Sequence, residues 1–408
     1  MPRSGSAVSD VDLLSRDFAQ DPHARYTLLR EHPQVRKHVV KTLATEMYAW
    51  VVTGYDDSRA LLADPRLAKD VDRLLDVMAA NAVNPDDKPA GTPRSMLFSD
   101  PPDHTRLRKL VGNVFTMRRV ERLRPWIEQA VDRLLDAVPV GEEFDLVERI
   151  GMALPTYVIG RLLGVPPDRH DDFRAWNSVL AGLENTAAEK REAHRRTFEY
   201  LTGLIADKRR DPGDDIVSAL VAESRDNGSI DDQEVLSAVF LLMNAGYETT
   251  AHMISSGVFN LLRHRDQQAL LRADLDLVPG AVEEFLRYES PLNMATIRFT
   301  AAPVRIGEVV VPAGEIVFVA LLAANRDPAR FADPDAFDVL RAEKAHLSFG
   351  HGIHHCIGAP LARMEGDIVF RKLLARFANW EPVVPETELR WKFSAQFRGL
   401  DRLPIRLS

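Results

Sequence analysis

Apolar positions along the chain recur mostly at helical spacing, with a few short alternating stretches between. Residues 1–20 read as a poorly ordered lead-in, flexible through residue 17, and Pro22 to Glu31 as a first helix. Val35 to Val40 and Trp50 to Val52 alternate and are β-branched, which predicts strands. Gly54-Tyr55-Asp56-Asp57 turns the chain into a helix through Ala63, stopped by Asp64-Pro65. Between Asp70 and Ser99 the pattern dissolves, and Asn84-Pro85-Asp86-Asp87-Lys88-Pro89 predicts a long loop, of the kind that tends to be functional or disordered. Amphipathic helices are predicted over Val120 to Ala137, Phe144 to Leu163, Asp171 to Gly182, Ala188 to Arg209 and Asp215 to Ser224. A longer one runs from Asp232 to about His264, apolar nearly all round in its middle and therefore buried. Ala281 to Tyr288 is helical, and Val304 to Ile306, Val309 to Val311 and Ile316 to Val319 form a small β region. Trp391 to Leu400 predicts a hairpin.

Composition narrows this to one mainly α molecule with small β-sheets. A length of 408 residues suggests two or three domains, but no linker divides the chain, so one domain over residues 1–408 is expected. Hydrophobic content of 45% suits a sizeable core. A net charge of −8 argues against nucleic-acid binding. No apolar run approaches the roughly 20 residues that cross a bilayer, and Met1 to Asp10 has no signal-peptide core. A soluble, cytoplasmic protein is expected, with no membrane partner, where a free thiol stays reduced.

Unusual chemistry concentrates in Phe349-Gly350-His351-Gly352-Ile353-His354-His355-Cys356-Ile357-Gly358, which holds the only cysteine. A lone thiol is as readily a small core residue as a ligand. The three glycines, however, allow a tight backbone that leaves a flat partner unobstructed. Ala359 to Met364 starts a helix with Pro360 in its first turn. A sulfur just ahead of a helix N-terminus is held as thiolate, and a thiolate in an apolar loop suits a soft metal centre.

Three further stretches stand out. His104 and Arg108 share a helical face after Asp100-Pro101-Pro102, as they also would on a plain solvated helix. Within the long helix, Gly246 costs about 1 kcal/mol against alanine, and Glu248 and Thr249 need partners in an apolar setting. A packing glycine and a threonine bonded to its own helix would explain them singly. Glu284 and Arg287 are i,i+3 neighbours, worth about 0–1 kcal/mol if exposed.

In this order and spacing the stretches resemble the motifs of the cytochrome P-450 superfamily. Phe-x-x-Gly-x-His-x-Cys-x-Gly resembles its haem-binding loop. The resemblance implies a haem b whose iron takes Cys356 as axial thiolate, with Phe349 beside the sulfur, Gly358 letting the porphyrin lie close and His354 on a propionate. His104, Arg108 and Arg298 would be further propionate contacts. Ala245-Gly246-x-Glu248-Thr249-Thr250 resembles the distal-helix signature, with Ala245 against the haem and Gly246 making room for dioxygen. Thr249 would hydrogen-bond the activated oxygen, directly or through water, and Glu248 would connect it to solvent protons. Glu284 and Arg287 would be a buried pair bracing the cysteine loop. Its third member is open between Arg326 and Arg341, because Pro334-Asp335-Ala336-Phe337 has alanine where the family often has arginine.

The same resemblance implies a soluble bacterial monooxygenase of an apolar small molecule, with the 70–99 loop and the Asp171 to Arg209 helices covering the pocket. Leu242, Ala245, Leu292, Asn293, Ala295, Phe393 and Gln396 would line it, suiting a bulky, weakly polar ligand. No G-x-G-x-x-G follows a strand and no flavin site is present, so electrons must come from a ferredoxin and its reductase. Docking would use Arg106, Lys109 and Arg363, unless these are ordinary surface charge. The Asp100 to Val111 context looks most like actinobacterial enzymes that tailor polyketides and macrolides; steroid, terpenoid and fatty-acid substrates stay open. A zinc or thiol enzyme built on His351, His354, His355 and Cys356 would leave the glycines and the Glu-Thr pair unexplained. A haem-thiolate protein that binds or isomerises without monooxygenation is the other alternative.

Overall fold

The computed structural model describes residues 15–30, 35–41, 46–84, 94–181, 185–227, 230–394 and 396–408. Helices α1 (Arg16–Gln20) and α2 (Pro22–Arg30) lead into strands β1 (Arg36–Lys41) and β2 (Glu46–Val52). Helix α3 (Tyr55–Ala63), strand β3 (Leu67–Ala68) and helices α4 (Val71–Asn81), α5 (Asp103–Val114) and α6 (Met117–Asp136) follow. Strand β4 (Glu143–Asp145) and a π-helical turn over Val147–Met152 open α7 (Ala153–Leu163). Then come α8 (His170–Ala181), α9 (Ala187–Arg210), α10 (Ile216–Asn227), α11 (Asp232–Arg263), α12 (Arg265–Ala273) and α13 (Val278–Tyr288). Strands β5 (Arg298–Thr300), β6 (Val304–Ile306), β7 (Val309–Val311) and β8 (Ile316–Val319) precede α14 (Leu321–Ala324). Helix α15 (Ala359–Arg376) and strands β9 (Trp380–Pro382) and β10 (Pro404–Leu407) complete the chain.

Helix α11 is the axis of the core. Its 32 residues span about 48 Å at 1.5 Å per residue. A capping box starts it: Glu234 N–H donates to Asp231 Oδ1 at 2.8 Å, and Asp231 N–H to Glu234 Oε2 at 3.1 Å. Every residue from Thr250 to Leu262 is buried. Helices α13 and α15 reach it through missing side chains. A Cβ at Gly257 would lie 2.5 Å from Phe370 and 2.9 Å from Phe285, and one at Gly366 3.0 Å from Met253. The helix that follows the cysteine is thereby set directly against the distal helix.

A five-stranded sheet of order β1-β2-β8-β5-β3 joins residues early and late in the chain. Strands β2 and β8 run parallel, while the other pairs are antiparallel. This sheet brings Leu67–Ala68 beside Phe299–Thr300, so that Lys69 and Arg298 become neighbours.

The elements depart from the sequence expectations in four places. Residues 16–20 of the expected lead-in form helix α1, where Ser15 caps Phe18 N–H and Phe18 packs edge-on against Tyr26. Phe144 lies in β4, paired with Ile405, because Gly141 at φ +78° turns the chain first and helical structure starts only at Val147. Residues 71–81 are helix α4, capped by Asp70; Val71, Leu74, Leu75 and Met78 do recur at helical spacing, masked by the proline-rich segment after them. Helix α12 also went unpredicted, since His264 ends one helix and starts the next with no glycine or proline between. Residues 1–14 of the lead-in, Glu31, residues 85–93 of the long loop, Gly182 and Ala395 lie outside the described residues.

Candidate active site

The cysteine loop is shaped by its own backbone. Cys356 N–H donates to Phe349 O at 2.8 Å and His355 N–H to Gly352 O at 3.0 Å. Gly350 and Gly352 sit at φ +71° and +73°, where a side chain would strain the turn. A Cβ on Gly352 would also lie 2.7 Å from Leu62 O, so the loop rests directly on α3. Cys356 is exposed as a residue, yet its sulfur is closely surrounded. That burial raises the free thiol's pKa; the N–H groups of Gly358 and Ala359 and the charges of Arg108 and Arg363 oppose it without winning. At this sulfur the helix start by itself therefore does not outweigh burial.

The loop is braced from α13. Arg287 and Glu284 form a buried bidentate pair, Nε–Oε2 2.7 Å and Nη2–Oε1 2.8 Å. Arg287 also donates to the carbonyls of Asn325, Pro334 and Ala336. Arg341 is the third member, with Nε 3.4 Å from Glu284 Oε2. Arg326 is used elsewhere, donating to Tyr288 O and facing Glu289 at 3.7 Å. Asn325 and Ser348 carry the brace onward, since Asn325 Oδ1 accepts Leu347 N–H and Ser348 Oγ donates to Leu286 O.

Beside the loop lies a group of nitrogen donors from four elements. The rings of His104 on α5 and His354 are 4.3 Å apart. Arg298 on β5 is buried and donates to Thr296 O at 2.7 Å. Arg108 donates to His355 O. Lys69, unanticipated from sequence, is 0% exposed, with Nζ 2.7 Å from Thr296 Oγ1 and 5.3 Å from the Phe98 ring centroid. Burial, with Arg298 beside it, holds the Lys69 ammonium well below its ordinary pKa. Burial also lowers Arg298 to about 10 and, with Lys69 and His104 nearby, His354 to about 2. The neighbouring carboxylate, Asp100, accepts the backbone N–H groups of Lys69 and Asp70. His104 Nε2 has no hydrogen-bond partner among the described residues. Such a cluster has donors and positive charge to spare, which fits a ligand bearing carboxylates, as the two propionates of a haem do.

On α11, Ala245 is exposed and Thr249 partly exposed, one turn apart on the same face. Thr249 Oγ1 donates to Ala245 O at 2.9 Å. Its hydrogen is therefore spent on the helix and its oxygen is left as an acceptor. A Cβ on Gly246 would lie 2.7 Å from Ile159 Cδ1, so the missing side chain lets α7 approach the long helix there.

Glu248 points to the 391–400 hairpin. Its Oε1 lies 2.7 Å from Lys392 Nζ and 3.4 Å from His252 Nε2. Burial would raise this carboxyl, but the His252 ring and the Lys392 ammonium beside it outweigh burial and hold it at about 2. Burial keeps His252 neutral. Lys392 also escaped the sequence reading; the one signal for it was a lysine between Trp391 and Phe393, alternating with two aromatics.

The expected pocket residues divide. Bridges Leu292–Phe397 and Trp391–Leu400, and Asn293 N–H to Gln396 O at 2.8 Å, bring the hairpin to the 292–296 segment. Phe393 lies under the Arg16 guanidinium. Leu242 and Ala295 are buried within apolar clusters. Asn293 is corrected as a pocket amide, because its Oδ1 accepts the Tyr26 hydroxyl at 2.6 Å in the core. A small, partly open pocket between α7, α8 and α11, lined by Ile159, His170, Phe173, Met243 and Tyr247, shares none of these residues. Of the expected docking cations Lys109 is exposed, while Arg106 pairs with Glu234 and Arg363 with Glu283.

Residues 164–396 match the model of the family described as Cytochrome P-450. The chain is 47% identical over 400 residues to Cytochrome P-450 107B1 of Saccharopolyspora erythraea, covering 97% of this chain and 98% of that one. It is 41% identical to 6-deoxyerythronolide B hydroxylase of the same organism, covering 97% and 98%. The tirandamycin C-bound structure of the P-450 monooxygenase TamI superposes with a TM-score of 0.90 at 42% identity, over 97% of this chain and 100% of that one. With the cysteine loop, its brace and the distal helix in place, this chain belongs to the cytochrome P-450 family of haem-thiolate monooxygenases.

Proposed function

We propose that the chain is one haem-thiolate unit, cytoplasmic, that hydroxylates or epoxidises a polyketide- or macrolide-class small molecule. Haem b would be its cofactor, and a ferredoxin with its reductase its electron source. The observation that carries the haem assignment is the surplus of donors at buried Lys69, His104 and Arg298 and part-buried His354 beside the Cys356 loop. The relative named for 6-deoxyerythronolide B and the structure holding tirandamycin C support the substrate class. Among the described residues no helix is long and apolar enough to cross a membrane.

When bound, the haem supplies dioxygen activation, and a thiolate ligand favours O–O cleavage. Cys356 would be that ligand. The cations would hold the propionates, which in turn discharge their mutual repulsion. Thr249, its own hydrogen already donated to Ala245 O, would present its hydroxyl oxygen as a hydrogen-bond acceptor on the haem side of the helix. Glu248, ionised and tied to Lys392 at the hairpin, would relay protons inward from solvent. One oxygen atom enters the substrate and the other leaves as water. A panel of macrolactones, steroids, terpenoids and fatty acids, scored by the low- to high-spin shift of the ferric haem, tests the substrate class. Macrolactones are expected to give the largest shift, and a saturating shift with fatty acids or steroids alone would overturn the assignment.

A further inference from the structure

Trp391 stands where three parts of the molecule meet. It pairs with Leu400 across the hairpin, and the flanking bonds run from Lys392 N–H to Gly399 O at 2.8 Å and from Asp401 N–H to Arg390 O at 2.9 Å. In an antiparallel ladder that pattern leaves the N–H and carbonyl of Trp391 on the outer edge, unmatched by the opposite strand. Gln20, the last residue of α1, fills that edge. Its Nε2 donates to Trp391 O at 3.0 Å, and its Oε1 accepts Trp391 N–H at 3.3 Å. One carboxamide thus does what the peptide unit of a further strand would do, because an amide side chain offers a donor and an acceptor at once.

The same helix holds the opposite arm of the hairpin. Arg398 donates to Ala19 O, and its Nε donates to Glu289 Oε1 at 2.8 Å. Its guanidinium lies over Trp391, with Cζ 3.5 Å from the ring centroid, and Trp391 meets Phe259 of α11 edge-on at 5.7 Å. What the hairpin presents to α11 depends on this grip. Lys392, next to the held residue, puts Nζ 2.7 Å from Glu248 Oε1. Gly399, its hydrogen-bonded partner, lies so close to the His252 ring that no Cβ fits there. A slip of one residue would turn Lys392 to the other face and bring a side chain against His252 where glycine alone has room.

We propose that Gln20 is a positioning residue of the reaction: its carboxamide fixes the hairpin in register and so holds Lys392 on Glu248. The proposal rests on the proton-relay role of Glu248 and Lys392.

Gln20 is half-buried at the end of its helix, so Gln20→Ala is expected to fold and load haem as the wild type does. Hydrogen exchange at the Trp391 and Lys392 amides should speed up severalfold, because the outer edge is uncovered. With the panel member that gives the largest spin shift, product formed per NAD(P)H consumed should fall severalfold while the spin shift itself is kept. Gln20→Glu keeps the length and the acceptor but sets a carboxylate oxygen against Trp391 O. It should lose coupling as Gln20→Ala does, and it serves if the alanine variant fails to fold. Placed in Lys392→Met, Gln20→Ala should cause no further loss, since residues that act through one another are not additive. Wild-type coupling in both Gln20 variants, or a full further loss in the Lys392→Met background, would overturn the proposal. Lys392→Met alone separates it from the relay. Wild-type coupling in that variant would overturn both, whereas a loss there with none in the Gln20 variants would overturn the positioning role alone.

Discussion

Lys392 Nζ lies 2.7 Å from Glu248 Oε1, joining a hairpin late in the chain to the middle of the distal helix. The carboxylate beside Thr249 is therefore controlled by the same segment that carries Phe393 and Gln396. Replacing Lys392 by Met would leave burial as the dominant influence on Glu248, and its pKa would rise. The fraction of reducing equivalents that ends in product should then fall severalfold at neutral pH, measured as product formed per NAD(P)H consumed. Unchanged coupling would show that the pair is only structural.

The same pair has a signature in acid stability. Glu248 and Glu283 are both held at about 2 in the fold, below their ordinary 4.5. A carboxyl depressed by folding stabilises the protein above its unfolded pKa, and that contribution disappears as pH falls through the folded one. Each is worth on the order of 3 kcal/mol at neutral pH. Stability should therefore be flat down to about pH 4.5 and drop steeply between there and about pH 2. In Lys392→Met the Glu248 share of that drop should shrink, leaving a protein less stable at neutral pH and a shallower acid limb, as followed by denaturant unfolding monitored by circular dichroism across a pH series.

What the sequence could reveal divides along a physical line. Cys356, Thr249, His104, Arg298 and the Glu284–Arg287 pair stand in short motifs whose spacing constrains their chemistry, and the chain shows them locally. Lys69, Lys392 and the choice of Arg341 over Arg326 depend on which distant segment folds beside which. Lys392 meets Glu248 across 144 residues of chain, and Lys69 meets Thr296 across 227. No residue-type pattern encodes such a pairing. Gly246 shows the converse: its motif was plain, but only the packing of Ile159 reveals which helix its missing side chain serves.

Thr249 acts as an acceptor by the geometry of its hydroxyl. Thr249→Ala removes that acceptor and should cost less than about 1 kcal/mol of stability, because only one hydrogen bond within the helix is lost. Coupling should fall severalfold while the binding-induced spin shift stays as in wild type. Thr249→Ser keeps the oxygen and should restore coupling. Equal coupling in all three proteins would remove Thr249 from the proton path.

The brace behind the cysteine loop should be intolerant of half-removal. Glu284→Gln leaves the fully buried Arg287 and its neighbour Arg341 without their shared carboxylate. Stranding a buried charge costs about 3–5 kcal/mol. Thermal unfolding should move down by several degrees, and the haem-loaded fraction on purification should fall with it. Near-native melting with full haem content would mean that the carbonyls of Asn325, Pro334 and Ala336 hold the loop unaided.

Lys69 separates the cofactor's contribution from the fold's, because one substitution should move the two in opposite directions. Its ammonium is buried, close to Arg298, with Thr296 Oγ1 as its side-chain hydrogen-bond partner. A lysine whose pKa is depressed by folding binds its proton less well in the folded state, so it costs stability at every pH below its ordinary 10.5. Lys69→Met fills the same space without that cost, and the haem-free protein should melt at a higher temperature. If Lys69 neutralises a propionate, the loaded protein loses that charge pair, and haem should transfer to apomyoglobin about tenfold faster, a change of about 1.4 kcal/mol. A purely structural lysine would shift melting in the same direction with and without haem, and would leave the transfer rate unchanged. Measuring both in one variant therefore distinguishes a residue that the fold tolerates for the cofactor's sake from one that the fold itself requires.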